Sequence, residues 1–195
     1  MGLNFDTNDG LDSSFSSDYQ HFLQWLGNKI SLKGWKGFAG NLDVKDNRNG
    51  TESIHTTHQG MEIMFHVSTM LPPCEGDKQQ LDKKRFLSND MTLIIYKEGS
   101  QKLDLTEFHS AFNHTFVIIQ RVSSEEELDG QPTFRVEIAY KRDVLSPPAP
   151  LLPQQNLFHL NDEFRAFLLS KCKFFLLPPR HLIPEKLTIS SFVSQ

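Results

Sequence analysis

Apolar residues recur at two different periods along this chain, and the alternation between them lays out the expected elements. Tyr19, Phe22, Leu23 and Leu26 fall at helical spacing. Asp18, or Ser17 before it, can cap the first turn and Gly27 can close the last, so a short amphipathic helix is expected over residues 18–27. Residues 30–38 alternate loosely around Gly34 and Gly37, which predicts a strand with a turn. Asp46-Asn47-Arg48-Asn49-Gly50 is a strong turn signal. Residues 53–57 and 61–68 predict two strands joined near Gln59-Gly60 as a hairpin. The second of these is nearly all apolar and reads as a central strand, stopped by Leu71-Pro72-Pro73.

Residues 77–85 predict another helix, with Asp77 as its cap and a Lys/Arg-rich last turn that suits the helix dipole. Strands are expected at 91–96, 116–122 and 134–140. An acidic loop is expected at 124–130, and a Pro-rich extended segment at 146–153. Residues 162–171 predict a helix with Phe164, Phe167 and Leu168 on one stripe and Asn161 as a cap. The segment from Leu182 to Gln195 gives no convincing period. Helices and strands alternate without a strict βαβ rhythm. The fold class expected is α/β, a single domain with a mixed central β-sheet flanked by helices.

Composition narrows the function classes. With 195 residues, 38 % hydrophobic and 23 % charged, the chain suits one globular domain with a real core. Aromatic packing leans on 16 Phe against 2 Trp and 3 Tyr. A net charge of −4 argues against a protein built to coat nucleic acid or an anionic membrane. Cys74 and Cys172 belong to no CxxC or zinc pattern and read as reduced thiols of a cytoplasmic protein. The polar N-terminus carries no apolar signal core, and no run of about 18 apolar residues predicts a membrane span.

Several chemistries are missing from the sequence. There is no Walker A loop and no GxGxxG, so the chain is expected to bind no nucleotide or other cofactor of its own. GxSxG and HExxH are absent too, and the scattered His residues, with His55 and His58 nearest each other in the first half, make no metal pattern. The run Glu125-Glu126-Glu127 reads as a solvated loop, and His66, in the apolar strand, as a core histidine with satisfied nitrogens.

Two stretches carry the functional signal. One is Ile63-Met64-Phe65-His66-Val67-Ser68-Thr69-Met70-Leu71-Pro72. The other is Lys83-Lys84-Arg85-Phe86-Leu87-Ser88-Asn89-Asp90, leading into Met91-Thr92-Leu93-Ile94-Ile95-Tyr96. An apolar strand, a spacer and a basic run ending in Asn-Asp resembles the core of the Rap GTPase-activating (Rap/Ran-GAP) family, to which the tuberin GAP domain is related. Residues 32–38, 50–53, 112–118 and 162–171 resemble family segments as well. The resemblance divides the chain into a flexible lead-in over 1–14, a Rap-GAP-like catalytic domain over 15–171 and a divergent C-terminal tail over 172–195.

The resemblance implies a GTPase activator whose partner is a small GTPase of the Rap/Ras type. GTP and Mg²⁺ would belong to that partner, which would also provide any recruitment to membranes. The family's asparagine thumb falls on Asn89, the implied catalytic residue. GTP hydrolysis needs a water held in line with the γ-phosphate. Many G proteins use their own Gln for this. Rap lacks it, so a carboxamide supplied in trans, with acceptor and donors together, would take its place. Lys83, Lys84 and Arg85 either meet an acidic face of the GTPase or form a solvated helix end. Asp90, grouped with them as partner-binding, either holds the thumb through a hydrogen bond or closes the turn.

The chain departs from the family pattern in three places. Phe86 stands where the family usually has His. Ser88 stands where it has Gly, which matters if that position needs positive φ. After Lys171 the family continues through a long helix, whereas here the chain runs into Cys172-Lys173-Phe174-Phe175-Leu176-Leu177-Pro178-Pro179. The first two changes leave a catalytically impaired interaction module as the alternative function. Without the family's N-terminal dimerisation region, a monomer or weak self-association is expected.

Overall fold

Strand β3, Met61–Val67, shows how the sheet is built. Its odd positions Met61, Ile63, Phe65 and Val67 face one core, and Met64 faces another on the opposite side. Both faces are buried, which is why the strand reads as a continuous apolar run rather than an alternating one. Strand β4, Thr92–Lys97, repeats the pattern, with Ile94 and Tyr96 on the first face and Leu93 and Ile95 on the second.

The computed structural model describes residues 15–73, 81–141, 152–173 and 186–194. Among these, the remaining strands are β1 (Asn28–Ser31), β2 (Glu52–His58), β5 (Thr115–Arg121), β6 (Phe134–Tyr140), β7 (Leu157–Phe158) and β8 (Lys186–Ser194). They form one eight-stranded sheet in the order β1-β2-β3-β8-β4-β5-β6-β7. The four middle strands, β3, β8, β4 and β5, run parallel. The flanking pairs are antiparallel. The sheet is therefore mixed, as the sequence predicts.

Among the described residues three α-helices cover the two faces. Helix α1, Ser17–Leu26, buries Tyr19, Phe22, Leu23 and Leu26 on the first face. Ser16 rather than Asp18 or Ser17 caps it, its hydroxyl accepting the Tyr19 N–H at 3.1 Å. Gly27 ends this helix with extended backbone. A Cβ there would stand 2.7 Å from the His55 carbonyl oxygen, so the close approach of β2 is what requires glycine. Helix α3, Asp162–Lys173, packs on the same face through Phe164, Leu168, Leu169 and Cys172. Its predicted cap is in place, Asn161 Oδ1 accepting the Phe164 N–H at 2.8 Å. Burial pushes the Cys172 thiol up to about 12, so it behaves as a small core hydrophobe. Helix α2, Leu81–Asn89, lies on the second face, where Leu87 joins Leu93, Met64 and Leu32.

Several expectations need correction. Within residues 30–38 only Ile30 and Ser31 are strand, the end of the four-residue β1, and a looped segment follows. The expected hairpin is present, with His58 facing Met61 across Gln59 and Gly60, both at positive φ, which matches the right-handed twist of the strands. The largest departure is β8. The sequence shows no period there, yet this strand sits between β3 and β4, with Ile189 fully buried. Cys74, Asp77 and residues 146–151 of the Pro-rich segment expected at 146–153 lie outside the described residues.

Candidate functional site

The site is built on the C-terminal end of α2. The sequence predicts a helix ending at Arg85 and places Asn89 in the following turn. The helix instead runs on, and Asn89 is its last residue. Ser88 is helical, with its hydroxyl donating to the Lys84 carbonyl at 2.6 Å, the i−4 pattern. Ser88 is not among the positive-φ residues, so the glycine the family carries here is not required by this backbone.

The helix end divides sharply between inside and outside. Leu87 and Asp90 are buried and Asn89 is exposed. The Asn89 carboxamide makes no hydrogen bond within the described residues, so both its oxygen and its amide protons face outward. Asp90, only 3 % exposed, accepts from His66 Nδ1 at 2.8 Å. His66 Nε2 faces the Gly40 carbonyl oxygen at 2.6 Å. Both ring nitrogens of the buried His66 are thus engaged, one by the Asp90 side chain and one by the Gly40 carbonyl. Phe86 lies edge-on to the His66 ring, at 5.2 Å between centroids and 76° between planes. The phenyl ring standing in for the family's His thus covers this pair.

The helix end is also tied down from a neighbouring loop. Asn113, 2 % exposed, donates through Nδ2 to the Leu87 carbonyl at 3.1 Å and to the Asp90 carbonyl at 2.5 Å. The Ser110 hydroxyl donates to the Ser88 carbonyl, and Lys141 Nζ donates to the Ser110 carbonyl. The main chain adds His114 N–H to the Met91 carbonyl at 2.8 Å. The last carbonyls of a helix have no partner within it, and here the side chains of Ser110 and Asn113 supply partners for the carbonyls of Leu87, Ser88 and Asp90. Between the two tying residues stands Phe112, at 59 % exposure an exposed large hydrophobic side chain.

Of the residues expected at the site, the structure brings Asn89 and Asp90 together but on opposite sides of the backbone. Asp90 is closed off from solvent, so it supports the turn and does not offer a contact surface. Lys83 is buried as well, which rules out a solvated helix end for that residue, while Lys84 is half-buried. The Arg85 side chain lies outside the described residues. Ser110 and Asn113 are absent from the site expected from sequence, and Phe112 and Asn113 enter there only as part of a family-like segment. No spacing links them to Asn89, because the link is made by the parallel register of β4 and β5, with Thr92 beside Thr115.

Among the described residues no three His, Cys, Asp or Glu side chains converge as metal ligands, and no helix is long and apolar enough to cross a membrane.

Comparison with known proteins gives a consistent picture. The family model described as Rap/ran-GAP matches residues 11–192. RapA guanosine triphosphatase-activating protein 1 of Dictyostelium discoideum is 45 % identical over 120 residues, which cover 61 % of this chain and 11 % of that protein. GTPase-activating Rap/Ran-GAP domain-like protein 3 of Homo sapiens is 38 % identical over 161 residues, covering 80 % of this chain and 15 % of that protein. The chain thus spans less than a fifth of the length of either relative. The solved structure of the TSC2 GAP domain superposes with a TM-score of 0.65 at 25 % identity, covering 80 % of each chain.

Proposed function

The chain belongs to the Rap/ran-GAP family, and on that premise we propose that it binds a GTP-loaded small GTPase of the Rap type and accelerates hydrolysis by supplying Asn89 in trans. The observation that carries this reading is an exposed, unengaged carboxamide at a helix end whose neighbouring carbonyls are held. On this reading the GTPase holds GTP and Mg²⁺. Asn89 enters its nucleotide site, accepts a hydrogen bond from the attacking water and donates toward phosphate oxygen. The gain comes from orientation and water exclusion, since a carboxamide neither takes up nor releases a proton in this range.

The partner surface extends from Asn89 to Phe112. A solvent-facing aromatic next to a functional side chain is the kind of residue that anchors an interface. Phe112→Ala is expected to raise the half-saturating chain concentration roughly 10- to 30-fold while leaving the maximal hydrolysis rate within about two-fold. A titration of hydrolysis rate against chain concentration checks this. An unchanged half-saturation point places the interface elsewhere.

The proposed function is tested with Rap, Rheb and Ral proteins, each loaded with GTP and mixed with excess chain. Faster single-turnover hydrolysis of one of them supports an activator and identifies the preferred partner. Binding with an unchanged hydrolysis rate supports instead a non-catalytic interaction module.

A further inference from the structure

We propose that Asn113, with Ser110, is a positioning residue that fixes the direction of Asn89. The inference rests on the thumb reading of Asn89 and deepens it. A helix C-terminus frays unless its last carbonyls find donors, and a thumb on a frayed end samples many directions. The backbone around Asn89 is gripped at three carbonyls, those of Leu87, Ser88 and Asp90. The two amide protons of Asn113 hold Leu87 and Asp90, the residues two before and one after the thumb. The hydroxyl of Ser110 holds Ser88, the residue immediately before it. Ser110 is itself fixed, accepting the Phe112 N–H at 2.9 Å and the Asn113 N–H at 3.2 Å. The arrangement leaves the thumb carboxamide as the unheld group in a stretch whose neighbouring carbonyls are held. From the other side, His66 secures the Asp90 carboxylate.

The chemistry requires an amide at position 113. Its NH₂ can donate twice, and both of its targets are carbonyl oxygens that can only accept. An isosteric carboxylate would place negative charge against two carbonyl oxygens and release the turn. Asn113 touches neither the GTPase nor the reacting atoms on this reading. It acts through Asn89 and is not itself catalytic.

The test is single-turnover hydrolysis by GTP-loaded Rap over a range of chain concentrations, using Asn113→Asp, Ser110→Ala and Ser110→Thr alone and in an Asn89→Ala background. Asn113→Asp is expected to lower the maximal rate on the order of 10-fold or more, with half-saturation within about three-fold, as misorientation of a catalytic group costs rate rather than binding. Ser110→Ala should lower it less, and Ser110→Thr, which keeps the hydroxyl, should restore it. In the Asn89→Ala background none of these changes should slow hydrolysis further, because a residue acting only through the thumb has nothing left to position. If Asn113→Asp does not melt cooperatively, Ser110→Ala and its Thr rescue carry the test by themselves. A full maximal rate in Asn113→Asp and Ser110→Ala, or an equal loss in both backgrounds, overturns the positioning role. Loss of the Asn89 effect itself would instead overturn the thumb reading, and the two failures are distinguishable in the same data set.

Discussion

Ile189→Asp is expected to abolish cooperative folding. Ile189 is fully buried in β8 and belongs to the core on the α1/α3 face of the sheet. A carboxylate there would have no counter-charge among the core residues that surround it, and burying an unpaired ion costs several kcal/mol even after relaxation. Domains of this size are held by only about 5–15 kcal/mol in total. Position in the sheet makes the effect larger than for a surface strand. β8 pairs with β3 over six registered positions and with β4 over five, so displacing it separates the sheet into two halves and exposes two inner edges. Thermal unfolding followed by far-ultraviolet circular dichroism checks the prediction. The wild-type chain should melt in one sharp transition and Ile189→Asp in none. A melt within a few degrees of wild type would mean that β8 does not close the sheet.

Asn89→Ala is expected to lower the maximal rate of partner GTP hydrolysis on the order of 10²- to 10³-fold, the size seen when one positioned donor is removed from a catalytic site. Binding should change little, because the side chain is exposed and makes no hydrogen bond within the described residues that its loss would disturb. Stability should also hold, since surface substitutions away from tied groups usually stay within about 0.5 kcal/mol. The combination is diagnostic. Asp90→Ala should behave differently, because it strips the partner from a buried His66 and so removes stability together with rate. Half-saturation, maximal rate and melting temperature measured on the same preparations separate the two. An Asn89→Ala chain that loses binding as much as rate would make Asn89 an interface residue and not a thumb.

Much of the fold is written locally. The apolar runs at β3 and β4 mark strands buried on both faces, and Gln59-Gly60 marks the hairpin through its need for positive φ. The stripe of Tyr19, Phe22, Leu23 and Leu26 marks α1, and Asn161 marks the start of α3. β8 escapes such reading. Its residues, Lys186 to Ser194, mix β-branched, serine and aromatic positions without a two-residue period, and its place in the sheet is chosen by partners 97 and 124 residues earlier in the chain.

The candidate site divides in the same manner. Asn89 was legible through its resemblance to a family motif, since Asn-Asp before a strand is by itself an ordinary turn signal. The length of α2 was not legible, because Ser88 and Asn89 are weak helix formers. Bonds from Asn113 and Ser110, more than 20 residues away, satisfy the carbonyls at that end. His66 was read as a satisfied core residue, and it is one, but its partner is the Asp90 side chain next to Asn89. Pattern along a chain gives which residues are buried. It does not give which buried residue grips which backbone, and the site depends on that.

Acceleration of GTP hydrolysis on a Rap-type GTPase is read from the rate at which GTP-loaded Rap releases phosphate in a single turnover, alone and with saturating wild-type chain. A rise of at least on the order of 10²-fold is expected, matching the loss expected for Asn89→Ala. An unchanged rate, with the chain bound and melting cooperatively, would contradict it.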